Sequence, residues 1–229
     1  CVAFSPDGSK LASCSYELHS TSPSVVIEGQ VHLWDASTPG EPKTARRLRN
    51  GGVKPISSIA WSPDGNTMYA GTWDSLVFAW DLTSEESGEP RSVKIPEEGL
   101  YSAIDALCLS PDGQYIVAGS KDRTARVWMA ATFEPVVTLR GHIDYVNGVR
   151  FSPDGMRLAT AGGDECIRVW DVATWKEISA LRGHSLDVRT VCWTPKGDRL
   201  ISSALDGTVR MWDASFAHYG GIKMTQSAA

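Results

Sequence analysis

A histidine, a hydroxyl and an aspartate recur twice in this sequence at one spacing: His142, Thr160 and Asp164, then His184, Ser202 and Asp206. These are the residue types of a nucleophilic hydroxyl, its general base and the carboxylate that orients the base. Two features argue against that chemistry. The whole set is repeated 42 residues further on, which one active site does not require. Each hydroxyl also lies in a β-rich run and not at the sharp strand-to-helix elbow that exposes a nucleophilic serine. The sets are therefore read as structural, and no catalytic residue is assigned. The sequence contains no G-x-x-x-x-G-K-[ST] phosphate loop and no H-E-x-x-H zinc helix. Cys1, Cys14, Cys108, Cys166 and Cys192 form no C-x-x-C pair, so neither a structural metal nor a disulfide framework is expected. No cofactor is expected either. His19, His32 and His218 are scattered and read as surface or strand histidines.

Charge narrows the partner classes. Lys and Arg number 22 against 27 Asp and Glu in 229 residues, a net charge of −5. A mildly acidic chain lacks the basic face that phosphate-backbone binding needs, so nucleic acid is not expected as a partner. One basic stretch stands out: Lys43, Arg46, Arg47, Arg49 and Lys54, with no acid among them. It could touch an acidic partner or nucleic acid, but an outer edge strand guarded by charge against edge-to-edge pairing is the stronger reading. No apolar run approaches the ~20 residues that cross a bilayer, so no membrane association is expected. With 42% hydrophobic and 21% charged residues the chain is globular.

The elements that would position these side chains are written as a repeat. Ser-Pro-Asp-Gly occurs at Ser5–Gly8, Ser62–Gly65, Ser110–Gly113 and Ser152–Gly155, and Thr194-Pro195-Lys196-Gly197 is a variant. A second series ends in Trp34, Trp80, Trp128, Trp170 and Trp212, four of them followed by Asp. From Pro to Trp the offset is 17 residues in repeats two to five and 28 in repeat one, which therefore carries an 11-residue insertion. Pro presets φ in the turn and Gly supplies its permissive corner. The residues one and three before every Trp are apolar, an alternation that predicts a strand with Trp on its other face. Short strands are predicted at Val149–Phe151, Leu158–Ala161, Cys166–Trp170 and Glu177–Leu181, with a tight turn at Gly163–Asp164. Four short strands in about 42 residues is the pattern of a propeller blade.

With Gly141-His142 and Val169-Trp170-Asp171, and Gly183-His184 and Met211-Trp212-Asp213, the chain resembles the WD-repeat β-propellers over essentially its whole length. The tandem 42-residue repeats are similar to those of fungal and bacterial WD-repeat proteins. The expected fold is all-β: four-stranded antiparallel blades, five present, in an open or partial propeller. Blade one is expected over 1–49 with the insertion at 16–27, and blades two to five over 50–100, 101–140, 141–182 and 183–229, together one WD-repeat domain. The resemblance implies that His, hydroxyl, Asp and Trp form a hydrogen-bonded tetrad: His142, Thr160, Asp164 and Trp170 in blade four, and His184, Ser202, Asp206 and Trp212 in blade five. Blades two and three carry Asp74 and Asp122 but Ala70 and Ala118 at the hydroxyl position. Blade one has Glu28 at the Asp position and Ser13 displaced by the insertion.

The resemblance also implies function. WD propellers bind through the top face, where contact positions follow the His loop and precede the turn Asp. Mapped here they are Pro55/Ser57, Ala103/Asp105, Tyr145/Asn147 and Asp187/Arg189, then Trp73, Lys121, Gly163 and Leu205. Of these, Trp73, Asp105, Lys121, Tyr145, Asn147, Asp187 and Arg189 are the expected protein-binding residues, since aromatic and Arg side chains dominate interface energetics. A non-catalytic scaffold for a protein or peptide partner, intracellular in cytoplasm or nucleus, is the expected function. A small-molecule or sugar-binding propeller, or a five-bladed glycosidase, is the alternative. A glycosidase needs two carboxylates facing each other, and the repeated acids here are already committed to the tetrads. The Trp-Asp-x-Arg string of cullin-ligase adaptors is absent. Ser57 is expected on the rim, where its loss should matter little. Residues 16–27 should extend a hairpin or form a loop at the top face. The flanks of blades one and five should be exposed, which calls for further repeats in the full gene product or for self-association. Gly221–Ser227 would supply the outer strand of blade five.

Overall fold

The computed structural model describes residues 1–21, 24–37, 43–48, 55–83, 90–95 and 102–214. Gly221–Ser227, proposed above as an outer strand, lies outside them. The described residues contain no helix, and every regular element is a strand in one of five antiparallel sheets. The chain divides into two compact units, Cys1–Leu107 and Cys108–Ala229.

In the first unit, strands β1 (Val2–Phe4), β2 (Lys10–Thr21), β3 (Ser24–Asp35) and β4 (Lys43–Leu48) form one sheet in sequence order. Strands β5 (Ile56–Trp61), β6 (Thr67–Thr72), β7 (Leu76–Asp81) and β8 (Arg91–Lys94) form a second. A third sheet joins β9 (Ile104–Leu109), β10 (Tyr115–Ser120), β11 (Thr124–Met129) and β12 (Pro135–Arg140). The second unit continues with β13 (Val146–Phe151), β14 (Arg157–Gly162), β15 (Cys166–Asp171) and β16 (Glu177–Arg182), then β17 (Val188–Trp193), β18 (Arg199–Ala204) and β19 (Val209–Asp213). These are up-and-down blades of the propeller kind. The basic stretch contributes β4, the outermost strand of its sheet, as expected for Lys43–Arg47.

Blades one to four share one closed turn between their first two strands, and in blade five the Thr194 hydroxyl donates instead to Asp198 at 2.7 Å. The Ser5 hydroxyl donates to Asp7 Oδ1 at 2.6 Å and accepts the Lys10 N–H at 2.9 Å, while the Gly8 N–H reaches the Ser5 carbonyl at 2.9 Å. The Ser62, Ser110 and Ser152 hydroxyls donate likewise to Asp64, Asp112 and Asp154, each at 2.5 Å. Gly8 has φ 72°, a left-handed conformation that a side chain disfavours, which is why the string ends in Gly. These hydrogen bonds hold the Asp7 carboxyl down at about 2, led by the Ser5 hydroxyl.

The second turn, between a blade's middle strands, falls at Gly163–Asp164 in blade four as expected. The left-handed residue there is the one after the Asp: Ser75, Arg123 and Glu165, with φ of 68°, 73° and 63°. In blade five that residue is a glycine, Gly207. The insertion in blade one forms the long arm of a hairpin: β2 and β3 pair without interruption from Lys10↔Asp35 to Thr21↔Ser24.

The core lies between blades. Ile167 and Val169, three and one before Trp170, pack in one buried cluster with Val188, Val191 and Leu200 of blade five. Val31 and Leu33 of blade one cluster in the same way with Ile56, Ile59 and Trp61 of blade two. Polar ties repeat there too. The Trp61 indole donates to the Ala3 carbonyl at 3.1 Å, and the Trp193 indole donates to the Arg150 carbonyl at 3.1 Å. The alternation before each Trp therefore records which face of the blade meets its successor.

Candidate functional site

Two side-chain relays run through the second unit. In blade four the Trp170 indole N–H donates to Thr160 Oγ1 at 3.0 Å, Thr160 bonds His142 Nε2 at 2.8 Å, and His142 Nδ1 bonds Asp164 Oδ1 at 2.8 Å. In blade five Trp212 donates to Ser202 Oγ at 2.8 Å, Ser202 bonds His184 Nε2 at 2.7 Å, and His184 Nδ1 bonds Asp206 Oδ2 at 2.9 Å. Indole can only donate and an ionised carboxylate can only accept. With the hydroxyl donating to Nε2 and Nδ1–H donating to the carboxylate, every atom of the relay has a partner. His142, His184, Thr160 and Ser202 are buried. Each hydroxyl is held between imidazole and indole, so neither is presented to a substrate.

The carboxylates fasten the blade loops as well. Asp164 Oδ2 accepts the Ile143 N–H and Asp206 Oδ2 accepts the Ser185 N–H, both at 3.1 Å. Burial raises the Asp164 pKa, but the His142 hydrogen bond, the Ile143 N–H and Arg168 outweigh it and hold the group below the ordinary carboxylate range. Asp206 is held well below that range, first by the Thr208 hydroxyl, against burial, with His184 and two backbone N–H groups adding to the effect.

The other blades solve the same problem with different residues. Asp122, which has no histidine, pairs with Arg126 at 2.9 Å, and both side chains are nearly dry. Arg126 stands two before Trp128, on the Trp face of the strand. In blade two that position is Phe78, which stacks on Trp80 at 5.7 Å. In blade one the Trp34 indole donates to Ser13 Oγ at 2.8 Å, so Ser13 serves as the indole acceptor despite the insertion. The Asp–Arg pairing was not foreseen from the sequence; the i, i+4 spacing of Asp122 and Arg126 was its available signal.

The rim positions are organised in pairs. The Trp73 N–H donates to the Pro55 carbonyl at 3.1 Å, Gly163 to Tyr145 at 2.8 Å, and Leu205 to Asp187 at 2.9 Å. The residue after the His loop and the residue before the turn Asp are thus clamped side by side in blades two, four and five. Trp73, Tyr145, Leu205 and Arg189 are exposed; Asp187, Asp105 and Lys121 are partly so. The Lys121 ammonium lies over the Tyr145 ring, 5.8 Å from its centroid. Trp73 and Asp105 belong to the first unit, and the remaining rim residues to the second.

Two side chains turn inward instead. Asn147 is buried and donates to the Val188 carbonyl of blade five at 3.0 Å. Ser57 is half-buried and bonds the Ile104 carbonyl at 2.5 Å and the Gly71 carbonyl at 3.0 Å. Each sits where its first strand shifts register, between Val146 and Gly148 and between Ile56 and Ser58. The extra residue of a bulge re-aims its side chain, and here it aims at the next strand's carbonyl. Asn147 and Ser57 are therefore ties between blades, and Ser57 is not the indifferent rim residue expected from its sequence position.

Among the described residues no cluster of His, Cys, Asp and Glu could hold a metal ion. No helix of the described residues is long and apolar enough to cross a membrane.

Five blades with these turns and relays define a WD-repeat protein. The family model for the WD domain, G-beta repeat, matches residues 1–35, 46–81, 98–129, 133–171 and 175–213, and the chain belongs to that family. Two curated relatives, from two strains of Cryptococcus neoformans var. neoformans serotype D, bear the description "Probable cytosolic iron-sulfur protein assembly protein 1". Each is 32% identical over 89 residues, covering 35% of this chain and 19% of the relative. The chain thus spans about a fifth of the length of the relatives it matches.

Proposed function

We propose that this protein is a non-catalytic scaffold that docks a protein or peptide on the blade rim, at Trp73 and Asp105 in the first unit and at Lys121, Tyr145, Asp187 and Arg189 in the second. WD repeats are a protein-interaction architecture, and that much follows from family membership. The observation that carries the finer reading is the backbone clamp at Trp73/Pro55, Gly163/Tyr145 and Leu205/Asp187. It holds large exposed side chains on a rigid frame, so little ordering entropy is lost when a partner binds. Tyr145 beside Lys121, with Asp187 and Arg189 on the next blade, offers an aromatic anchor flanked by charges of both signs, a combination suited to a polypeptide. The alternative chemistries find less support, because Asp122, Asp164 and Asp206 are engaged by Arg126, His142 and His184. The likeness to a cytosolic iron–sulfur assembly protein supports an intracellular assembly role, in cytoplasm or nucleus. Neither nucleic acid nor membrane is a partner in this reading.

The test is affinity capture with mass spectrometry, using native protein against a Trp73→Ala/Arg189→Ala variant. Partners recovered by the native protein and lost with the variant are the expected result. Identical recoveries, or cleavage of a chromogenic glycoside panel by the purified protein, would overturn the proposal.

A further inference from the structure

The first unit contains two cysteines, Cys1 and Cys14, and the fold brings their thiols together. β1 and β2 pair as Phe4↔Leu11, Ala3↔Ala12 and Val2↔Ser13, and the next step of that register sets Cys1 opposite Cys14. The ladder reaches this far, since the Cys14 N–H donates to the Cys1 carbonyl at 2.9 Å. The pairing is a property of the β1–β2 ladder and draws on nothing outside it. Opposite residues joined by ladder hydrogen bonds have Cα atoms about 5.5 Å apart, inside the roughly 4.4–6.8 Å that a disulfide spans. The side chains meet as well: the Cys14 thiol donates to Cys1 Sγ at 3.0 Å. An approach of only about 1 Å would bring the two sulfurs to bonding distance. Cys14 is partly buried against the core shared by blades one and two, which holds its side chain in place. Cys108, Cys166 and Cys192 belong to the second unit, so within the first unit each of these thiols has one possible partner.

We propose that Cys1 and Cys14 form a reversible thiol–disulfide site, oxidised by a low-molecular-weight disulfide such as oxidised glutathione. One cysteine thiolate attacks a glutathione sulfur, forms a mixed disulfide and expels one glutathione thiolate. The second cysteine thiolate attacks the protein sulfur of that mixed disulfide and expels the other glutathione. The two protein thiols are oxidised by two electrons, the glutathione disulfide is reduced to two thiols, and the two cysteine protons end on those thiols. Reduced glutathione runs the exchange backwards, which suits the intracellular setting proposed above, where disulfides are transient and redox-sensing. The bond would staple β1 to β2 across the Ser5–Gly8 turn, close to where the hairpin arm begins. It removes freedom from the unfolded chain, so oxidation should raise the melting temperature.

The experiment equilibrates the reduced 229-residue chain with glutathione buffers of graded oxidised-to-reduced ratio. Free thiols are trapped by alkylation, and tryptic peptides are mapped without reduction. Lys10 lies between the two cysteines, so trypsin puts them on separate peptides that only the disulfide joins. The joined pair should appear as the ratio rises, in monomeric protein, and disappear when reduced glutathione is restored. Cys1→Ser and Cys14→Ser should each stop at a glutathione adduct on the cysteine that remains. In urea that unfolds the chain, the same linkage should need a ratio roughly tenfold or more oxidising, because the register that aligns the sulfurs is gone. Separate glutathione adducts on Cys1 and Cys14 in the most oxidising buffer would overturn the proposal. So would linkage to Cys192 or between two chains in place of this pair, or equal oxidation of the folded and unfolded chain.

Discussion

Replacing Thr160 by Val removes one hydroxyl from the middle of the blade-four relay and keeps the β-branched shape. Two buried groups then lose their partner: the Trp170 indole N–H, 3.0 Å away, and His142 Nε2, 2.8 Å away. Leaving a buried donor or acceptor unsatisfied costs about 1–3 kcal/mol each. The added methyl returns about 0.8 kcal/mol through burial. The net expectation is a loss of about 1–5 kcal/mol, which at a urea slope of about 2–3 kcal/mol/M lowers the midpoint by roughly 0.5–2.5 M. The relay makes a sharper claim than destabilisation alone. In a Trp170→Phe background the indole donor is already gone, so Thr160→Val strands only the histidine. Its cost should fall by about 1–3 kcal/mol, the coupling that a double-mutant cycle isolates. The assay is urea unfolding followed by far-ultraviolet circular dichroism for the native chain, both single variants and the double. A Thr160→Val protein within about 0.5 kcal/mol of native, or one losing the same amount in both backgrounds, would refute the relay as a source of stability.

Three further outcomes follow from the same geometry. Asp164, Asp206 and the turn carboxylates Asp7, Asp64 and Asp154 are all held below the ordinary carboxylate range in the folded protein. The unfolded chain therefore binds more protons in acid, and stability present above pH ~4 should be lost as pH falls through the folded values, about 2 for Asp7. A melting temperature that does not fall between pH 5 and pH 2 would contradict this, and Asp164→Asn should flatten the slope. In the native protein a thiol reagent should label Cys1, Cys14 and Cys192 and spare Cys108 and Cys166 until denaturant is added. Burial raises both spared thiols, Cys108 to about 12. Peptide mapping after labelling reads the order directly. Deleting residues 16–27 leaves Glu28-Gly29 as a two-residue turn between the paired Ser15 and Gln30. A two-stranded ribbon adds little stability alone, so the melting temperature should stay within a few degrees of native; failure to fold would make the segment structural.

The sequence carried the strands and the relays because both are written locally. A strand announces itself by alternation, and Val209, Met211 and Trp212 alternate like Ile167, Val169 and Trp170 even though their surroundings differ. The relays of blades four and five are legible because the family resemblance supplies the pattern and their residues hold its fixed offsets from Trp. What could not be read was set by a one-residue register shift or by a substitution of one solution for another. The resemblance places Asn147 and Ser57 on the rim, but the bulges at Val146/Gly148 and Ile56/Ser58 turn them to the neighbouring strand. The left-handed residue of the second turn is Glu165 and not Gly163, because the geometry of the turn, and not the presence of a glycine, fixes where φ is positive. Asp122 looks like an incomplete tetrad in the sequence, yet Arg126 completes it from the same strand.

This division between what repeats and what does not makes stability and binding separable. The turn hydroxyls, the relays and the residues before each Trp occupy matched positions and bond to matched partners, so their replacement should be felt as unfolding. The rim carries Trp73, Lys121, Gly163 and Leu205 at one position, four chemistries on one backbone frame. Of these, Trp73 and Leu205 are exposed, as is Tyr145 beside Gly163. Tyr145→Ala removes an exposed ring but leaves the Gly163 N–H bonded to its backbone carbonyl, because that bond does not involve the side chain. Its effect on stability should stay within about 0.5 kcal/mol, as for exposed positions generally. At an interface anchor the same truncation costs about 2 kcal/mol or more, a loss of roughly thirtyfold in affinity. Thr160→Val predicts the opposite profile, a lowered unfolding midpoint with rim affinity retained at temperatures where the protein is folded. Measuring both quantities for both variants, against a partner recovered by capture, tests the assignment of roles directly. A Tyr145→Ala protein that unfolds early, or one that binds that partner as tightly as native, would show that the ring belongs to the fold or lies outside the binding surface.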